Sequence, residues 1–293
     1  MTAARRMPYT VRVPASTSNL GAGFDCLGLA LDLWLEARLV EGSGPARLQG
    51  TLEGLDESAD IMSAILRQCG VSGGWHIEAR SAIPVGKGLG SSAAARVAGV
   101  ALAQLARGDM LDRDAVFRHA AAAEGHPDNA GPAVYGGLFL ASSPPARLTP
   151  HASLGIALAV PDAAVSTNLA RARLPADVPR DTAVGQSARA AALILGLTQG
   201  DGDLIRFGME DLIAVPRRQG LIPGFDAAVS AGNAAGAYGV TISGAGSALL
   251  ALAPRERAAA AAAAMAHALT TAGNTAIGIT PAVAPTGLEV VNG

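Results

Sequence analysis

Two cysteines in 293 residues, Cys26 and Cys69, are too few for a disulfide framework or a zinc site. They read as small core residues, and reduced thiols suit a cytoplasmic protein. The net charge is only −2 at neutral pH, which excludes a nucleic-acid surface built on bulk charge. Long apolar runs are missing too. No stretch offers the ~20 bulky apolar residues of a membrane span, and no apolar signal core follows Arg5 and Arg6. The alanine run from Ala258 to Ala264 comes nearest. It sits between Arg255-Glu256-Arg257 and His267, with Gly273 as a C-cap, and alanine forms helices while carrying little hydrophobic area, so it reads as a soluble helix. Internal repeats and low-complexity tails are otherwise absent.

What the chain does have is a hydrophobic half, enough for a sizeable core in one large domain or two ordinary ones. Tyr9 to Val13 reads as a first strand, and the polar, glycine-rich run from Pro14 to Asp25 as a loop in which Asn19 and Asp25 serve their own backbone. From Leu29 to Val40, Leu31, Leu33, Leu35, Ala37 and Leu39 alternate with Asp32, Trp34, Glu36 and Arg38, which predicts a long antiparallel strand. Helices are predicted from Asp60 to Gln68, stopped by Gly70, and from a cap at Asp112 to about Ala123. Pro144-Pro145 and Pro150 mark a linker, which divides the chain into residues 1–146 and 147–293. The second part opens with a strand from Leu154 to Val160 and continues with helices from Thr182 to Leu195 and from about Leu204 to Ala214.

Chemistry is most concentrated at Ile83-Pro84-Val85-Gly86-Lys87-Gly88-Leu89-Gly90-Ser91-Ser92. This glycine-rich turn joins a strand, in which Trp75, Ile77 and Ala79 alternate with polar residues, to a helix carrying Ala94, Val97, Ala98, Ala101 and Leu105 at helical spacing. Unpaired N–H groups and a positive macrodipole at a helix start suit polyphosphate oxygens, and Gly88 and Gly90 permit close backbone approach. Ser91 and Ser92 add hydroxyls that could cap the helix or bind a metal. A turn of this kind also serves purely structural ends. Walker A fails because Gly88, not Ser or Thr, follows Lys87, and the dinucleotide-binding glycine spacing fails as well.

Three further clusters stand out. Glu124-Gly125-His126-Pro127-Asp128-Asn129 ends a helix, where proline forces His126 out of helical geometry. It could be a metal carboxylate with an acceptor pocket, or a helix C-cap and Asx-turn with a surface histidine. Arg171 and Arg218, taken to lie outside helices, are either solvated or hold an anion by paired hydrogen bonds. Gly244-Ala245-Gly246 joins two β-like runs between Gly239 and Leu250, as a tight hairpin would.

The run from Pro84 to Ala94 resembles the Pro-x-x-x-Gly-Leu-Gly-Ser-Ser-Ala-Ala signature of the GHMP small-molecule kinases, and Glu-Gly-His-Pro-Asp-Asn is similar to a segment of the homoserine kinases within that family. With Gly244-Ala245-Gly246 as the third motif, the resemblance spans nearly the whole chain. It implies an α+β, two-domain GHMP kinase fold: a ribosomal protein S5 domain 2-like N-terminal domain that binds ATP, and a ferredoxin-like C-terminal domain. The implied reaction transfers the γ-phosphate of MgATP to the hydroxyl of L-homoserine, in threonine synthesis.

By resemblance, Pro84, Gly86 and Gly88 to Ser92 hold the phosphates, with Gly244 and Gly246 packed over them, while Thr167 and Lys87 reach phosphate oxygens. Ser92 and Glu124 hold Mg²⁺. Asp25 receives the substrate ammonium, Arg171 and Arg218 its carboxylate, and Asn19, His126 and Asn129 surround the hydroxyl. Ser92, Glu124 and Asn129 are thus the catalytic set, with no side chain as obligatory base. Two departures are Ser247-Ala248 where many relatives have Pro-Thr, and Asp60 where relatives often carry asparagine, so no adenine ligand is named. Rival readings are a kinase for another small carboxylate-bearing alcohol, and a silent ATP and metabolite sensor, against which Ser92 and Glu124 argue. Neither nucleic acid nor membrane is an expected partner, and a homodimer stays open.

Overall fold

The computed structural model describes residues 8–55, 60–71 and 73–291. Arg5 and Arg6 therefore lie outside the described residues. The first part holds β1 (Tyr9–Asn19), β2 (Gly23–Glu41), β3 (Arg47–Gly50), α1 (Ile61–Gln68), β4 (Trp75–Ser81), α2 (Ser91–Ala106), α3 (Arg113–Glu124), α4 (Ala130–Tyr135), β5 (Leu138–Leu140) and β6 (Ala146–Leu148). Next come β7 (Leu154–Pro161), α5 (Thr167–Ala172), α6 (Arg180–Gln199), α7 (Gly202–Met209), α8 (Val215–Arg218), α9 (Phe225–Ala234), β8 (Gly239–Ile242), β9 (Leu249–Pro254), α10 (Ala258–Thr271) and β10 (Ala276–Ile279). The last strand is β11 (Glu289–Val291).

The first sheet runs β11-β1-β2-β4-β3, with β5 on β2 and β6 on β5. β2 keeps the expected alternation, with Leu35, Ala37 and Leu39 buried and Glu36 and Arg38 exposed. The run from Pro14 to Asp25 corrects the loop expectation: β1 continues to Asn19 and β2 begins at Gly23, with register shifts at Pro14/Ala15 and Ser18/Asn19. Its serines and threonine are buried because they bond to distant partners, and this hides the strand from any test of alternation. Asp60 caps α1 by accepting from the N–H groups of Met62 and Ser63, and Asp112 caps α3 by accepting from Ala115.

α2 is buried from Val97 to Leu105 without a break. Its alanines and Gly99 let α1, α3, α4 and β1 close around it, and a Cβ on Gly99 would lie 3.0 Å from Ile65. The second sheet is antiparallel in the order β10-β7-β9-β8. Numbered within this sheet, the order is 4-1-3-2, and the chain sequence is strand, helices, two strands, helix, strand, which is the ferredoxin-like arrangement.

β7 faces two ways: Ile156, Leu158 and Val160 join the large core that also contains the first sheet, while Ala157 and Ala159 meet α9 and α10 in a smaller cluster. The alanine run makes α10 amphipathic with small side chains, burying Ala258, Ala261, Ala262, Met265, Ala266 and Leu269. Its C-cap is Ala272, one residue before the expected Gly273. α6 extends past both expected ends, and α7 stops at Met209 rather than Ala214. Pro144 and Pro145 lie in the β5–β6 turn, and β11 brings the chain back to pair with β1, so the first sheet takes strands from both sides of residue 146. Among the described residues, no helix is long and apolar enough to cross a membrane.

Candidate active site

One cleft lies where the turn before α2, the β1–β2 hairpin, the end of α3 and the loops after β7 and β8 converge. Of the residues singled out above, Asn19, Asp25, Gly86, Gly88, Leu89, Gly90, Ser91, Ser92, Glu124, His126, Asn129, Thr167, Arg171, Arg218, Gly244 and Gly246 line it. Pro84 and Lys87 do not. The Lys87 ammonium turns outward and donates to the carbonyls of Asp162 and Ala163 after β7, where partial burial lowers its pKa against the opposing pull of Asp162.

The glycine-rich turn is held by backbone packing. Gly86, Gly88 and Gly90 all have positive φ. A Cβ on Gly88 would stand 2.1 Å from the carbonyl oxygen of Ser243, and one on Gly90 2.1 Å from Ser16 Oγ. The two glycines are therefore required by other parts of the protein before any ligand is considered. Ser243 Oγ donates to the Gly88 carbonyl at 2.7 Å and the Ala248 N–H to the Lys87 carbonyl at 3.0 Å, so the segment between β8 and β9 packs directly on the turn. Thr17 contributes a further hydroxyl contact to Ser243 at 2.8 Å. Gly90 is the N-cap of α2 and supplies no side chain, and neither Ser91 nor Ser92 caps it. The first N–H groups of the helix thus face the cleft, as an anion site needs.

Ser92 Oγ instead donates to Glu124 Oε1, across from the end of α3. Arg96, one turn further along α2, donates to both, at 2.6 Å from Ser92 Oγ. A hydroxyl and a carboxylate oxygen side by side, already facing a cation, are a hard-oxygen donor set that fits Mg²⁺. Arg96 was not foreseen, although its place four residues after Ser92 was readable.

The opposite end carries charges. The Arg171 guanidinium grips Asp25 through two hydrogen bonds, 3.1 Å and 2.8 Å. This bond raises its pKa. Asp25 has positive φ and its N–H donates to Asn19 Oδ1 at 3.0 Å, while Asn19 Nδ2 donates to the Gly244 carbonyl at 2.9 Å. Asn19 therefore ties the hairpin to the β8–β9 segment. Arg171 sits on α5 and Arg218 on α8, correcting their expected place outside helices.

Arg218 is 4 % exposed. Burial, and then the nearby Arg171 charge, lower its pKa, and its hydrogen bonds go to the carbonyls of Ala170 and Gly244 rather than to a carboxylate. Phe24, unnoticed in the sequence, lies beneath both guanidiniums, 5.9 Å from Arg171 and 5.1 Å from Arg218.

Between the two ends, Asn129 is fixed on both sides of its amide: Ser16 donates to Oδ1 at 2.8 Å, and Nδ2 donates to Ser18 at 3.0 Å. His126 is buried, with Nδ1 2.5 Å from Asp128 Oδ1 and Nε2 3.8 Å from Glu124. Burial pushes its pKa down, but the hydrogen bond and charge of Asp128 outweigh that and leave it raised. The segment is thus neither a surface histidine nor a simple Asx-turn. Cys26 packs against the core nearby, and burial, Asp128 and Asp25 push its thiol pKa up.

The family models for the GHMP kinases N terminal domain and the GHMP kinases C terminal match residues 57–137 and 193–270. A homoserine kinase of Trichormus variabilis is 38% identical over 283 residues, covering 92% of this chain and 94% of its own. One of Thermus thermophilus is 41% identical over 249 residues, covering 82% and 85%. The crystal structure of homoserine kinase from Cytophaga hutchinsonii superposes with a TM-score of 0.84 at 31% identity, covering 99% of each chain. With motifs, fold and near-complete coverage in agreement, the chain belongs to the GHMP kinase family.

Proposed function

We propose that the chain is a homoserine kinase, which transfers the γ-phosphoryl group of MgATP to the side-chain hydroxyl of L-homoserine and yields O-phospho-L-homoserine for threonine biosynthesis in the cytoplasm. The observation that carries the acceptor assignment is Arg218. A buried guanidinium bonded only to carbonyls and beside a second arginine is costly. A ligand carboxylate offsets that cost, and Asp25 close by offers the complementary site for an ammonium. An amino acid brings both charges.

In this reading the α2 N-terminus and the turn from Gly86 to Ser92 hold the phosphates, with Gly244, Gly246 and Thr167 across the cleft. Ser92 and Glu124 hold Mg²⁺, which supplies neutralisation of charge on the phosphates. Asn129, fixed by Ser16 and Ser18, borders the acceptor hydroxyl and keeps its place through the reaction. The hydroxyl oxygen forms the new bond to phosphorus as the bond to the bridging oxygen of ADP breaks, and its proton leaves late to the phosphoryl oxygens or water.

Among the described residues, no side chain near Asn129 is free to take that proton early. Asn129 is not basic, and Asp128 is committed to His126, whose own pKa that contact raises against the effect of burial. A loose transition state needs little base assistance, so positioning and charge neutralisation suffice.

An ADP-release assay tests the reading with L-homoserine, 4-hydroxybutyrate and L-homoserinol as acceptors. Turnover with homoserine and loss with either analogue, which lacks one charge, supports it. Better turnover of a different hydroxy acid gives the site to another alcohol, and no turnover with any acceptor leaves a silent sensor.

A further inference from the structure

Arg96 has no part in the roles assigned so far, yet it is the cation that Ser92 and Glu124 face. Its guanidinium reaches both oxygens from the next turn of α2. The Glu124 side chain is 11% exposed and that of Arg96 23%, so the pair is largely withdrawn from water. A carboxylate in that position needs a counter-charge at all times.

Mg²⁺ approaches its oxygen ligands to ~2.0–2.1 Å, and a guanidinium bonded to the same Ser92 Oγ and Glu124 Oε1 stands in its way. Two cations on one hydroxyl and one carboxylate oxygen also repel. Metal and Arg96 are therefore alternatives for the same two atoms.

We propose that Arg96 is a positioning residue and a built-in rival of the metal: it keeps Ser92 and Glu124 aligned and charge-balanced, and yields them only when the metal arrives with a nucleotide. MgATP brings both the cation that replaces the guanidinium and the anionic oxygens that a displaced guanidinium requires. A bare metal ion brings only the first. The protein thereby resists loading with free divalent metal. This inference rests on the reading of Ser92 and Glu124 as metal ligands.

The test is a titration of nucleotide-free protein with Mn²⁺, followed by electron paramagnetic resonance, in wild type, Arg96→Met, Arg96→Lys and the double variant Arg96→Met/Glu124→Gln. Arg96→Met is expected to bind Mn²⁺ at least ~10-fold more tightly than wild type, since a charge-assisted competitor has been removed. Arg96→Lys keeps the positive charge and stays near wild type, and the double variant loses the gain. Arg96→Gln replaces Arg96→Met if the latter fails to fold by circular dichroism.

Mn²⁺ affinity no higher in the charge-removing variant than in wild type overturns the role of Arg96. Glu124→Gln read in the nucleotide complex separates this from the underlying reading. If Mn²⁺ affinity there falls, the metal site stands and only the rivalry is wrong; if it does not change, the metal site and the inference fall together.

Discussion

At the α2 end of the cleft the working parts are mostly backbone: a turn with three positive-φ glycines, a helix start without a side-chain cap, and a hairpin packed on the Gly88 and Lys87 carbonyls through Ser243 Oγ and the Ala248 N–H. At the Arg171 end they are charged side chains, and most are paired with each other, Asp25 with Arg171 and His126 with Asp128. The first end is therefore specified by shape and the second by charge balance. Shape fails when an atom is added, and charge balance fails when one is removed.

The largest effect is expected from adding an atom at Gly88. Gly88→Ala places a methyl group 2.1 Å from a carbonyl oxygen that belongs to the hairpin, at φ +76. The left-handed backbone costs ~1–2 kcal/mol, and overpacking ~1–3 kcal/mol more. Thermal unfolding and KM for ATP should both worsen, while the same change at Gly125, which has open space around its positive φ, shows only the backbone cost in the unfolding midpoint.

Glu124→Gln removes one charge where both ends meet. It should lower kcat by at least ~100-fold, about 3 kcal/mol of transition-state stabilisation. Steady-state kinetics with Mg²⁺ at ordinary and raised concentration decides it, and full activity at ordinary Mg²⁺ removes Glu124 from the mechanism.

The two arginines sharpen the comparison next. Arg171→Ala and Arg218→Ala should each cost ~2–4 kcal/mol in kcat/KM for homoserine with little change in KM for ATP. Their stabilities should diverge. Arg218→Met discards a buried charge that has no carboxylate and is expected to leave the unfolding midpoint level or raised, whereas Arg171→Met strips Asp25 of its partner and lowers it. Equal damage to the ATP KM would assign the arginines to the nucleotide instead.

The smallest effect is in pH. Because the pKa of His126 is raised in the folded protein, its contribution to stability is fully present below the unfolded value of ~6.5 and is lost as pH rises through the folded value. The difference in unfolding midpoint between wild type and Asp128→Asn should therefore shrink from pH 6 towards pH 9. Over the same interval kcat at saturation should vary less than ~3-fold between pH 6.5 and 8.5, since a loose transition state needs no early proton removal by a side chain. A limb above pH 6.5, on the side to which the His126 pKa is raised, abolished by His126→Ala with affinity intact, would overturn the mechanism.

How far the sequence shows this in advance depends on how local each signal is. The turn from Gly86 to Ser92 and the segment from Glu124 to Asn129 are contiguous, so their place at helix ends was legible, as was the cap Asp112. β1 beyond Val13 was not, because Ser16, Thr17 and Ser18 are buried to satisfy Asn129 and Ser243, 113 and 226 residues away, and polar residues facing inward erase the alternation that betrays a strand. The reason for Gly88 and Gly90 was also hidden: close approach was expected of a phosphate, and it is made first by Ser243 and Ser16. Lys87 shows the same limit, since its carbonyl partners lie in a loop 75 and 76 residues on.

The return of β11 to β1 has a mechanical consequence. The backbone passes between the two sheets twice, once between Leu148 and Leu154 and again between Ile279 and Glu289. Cleavage of the connection between Leu148 and Leu154 would therefore leave the second sheet held to the first by the pairing of β11 with β1 and by the core that β7 shares with it.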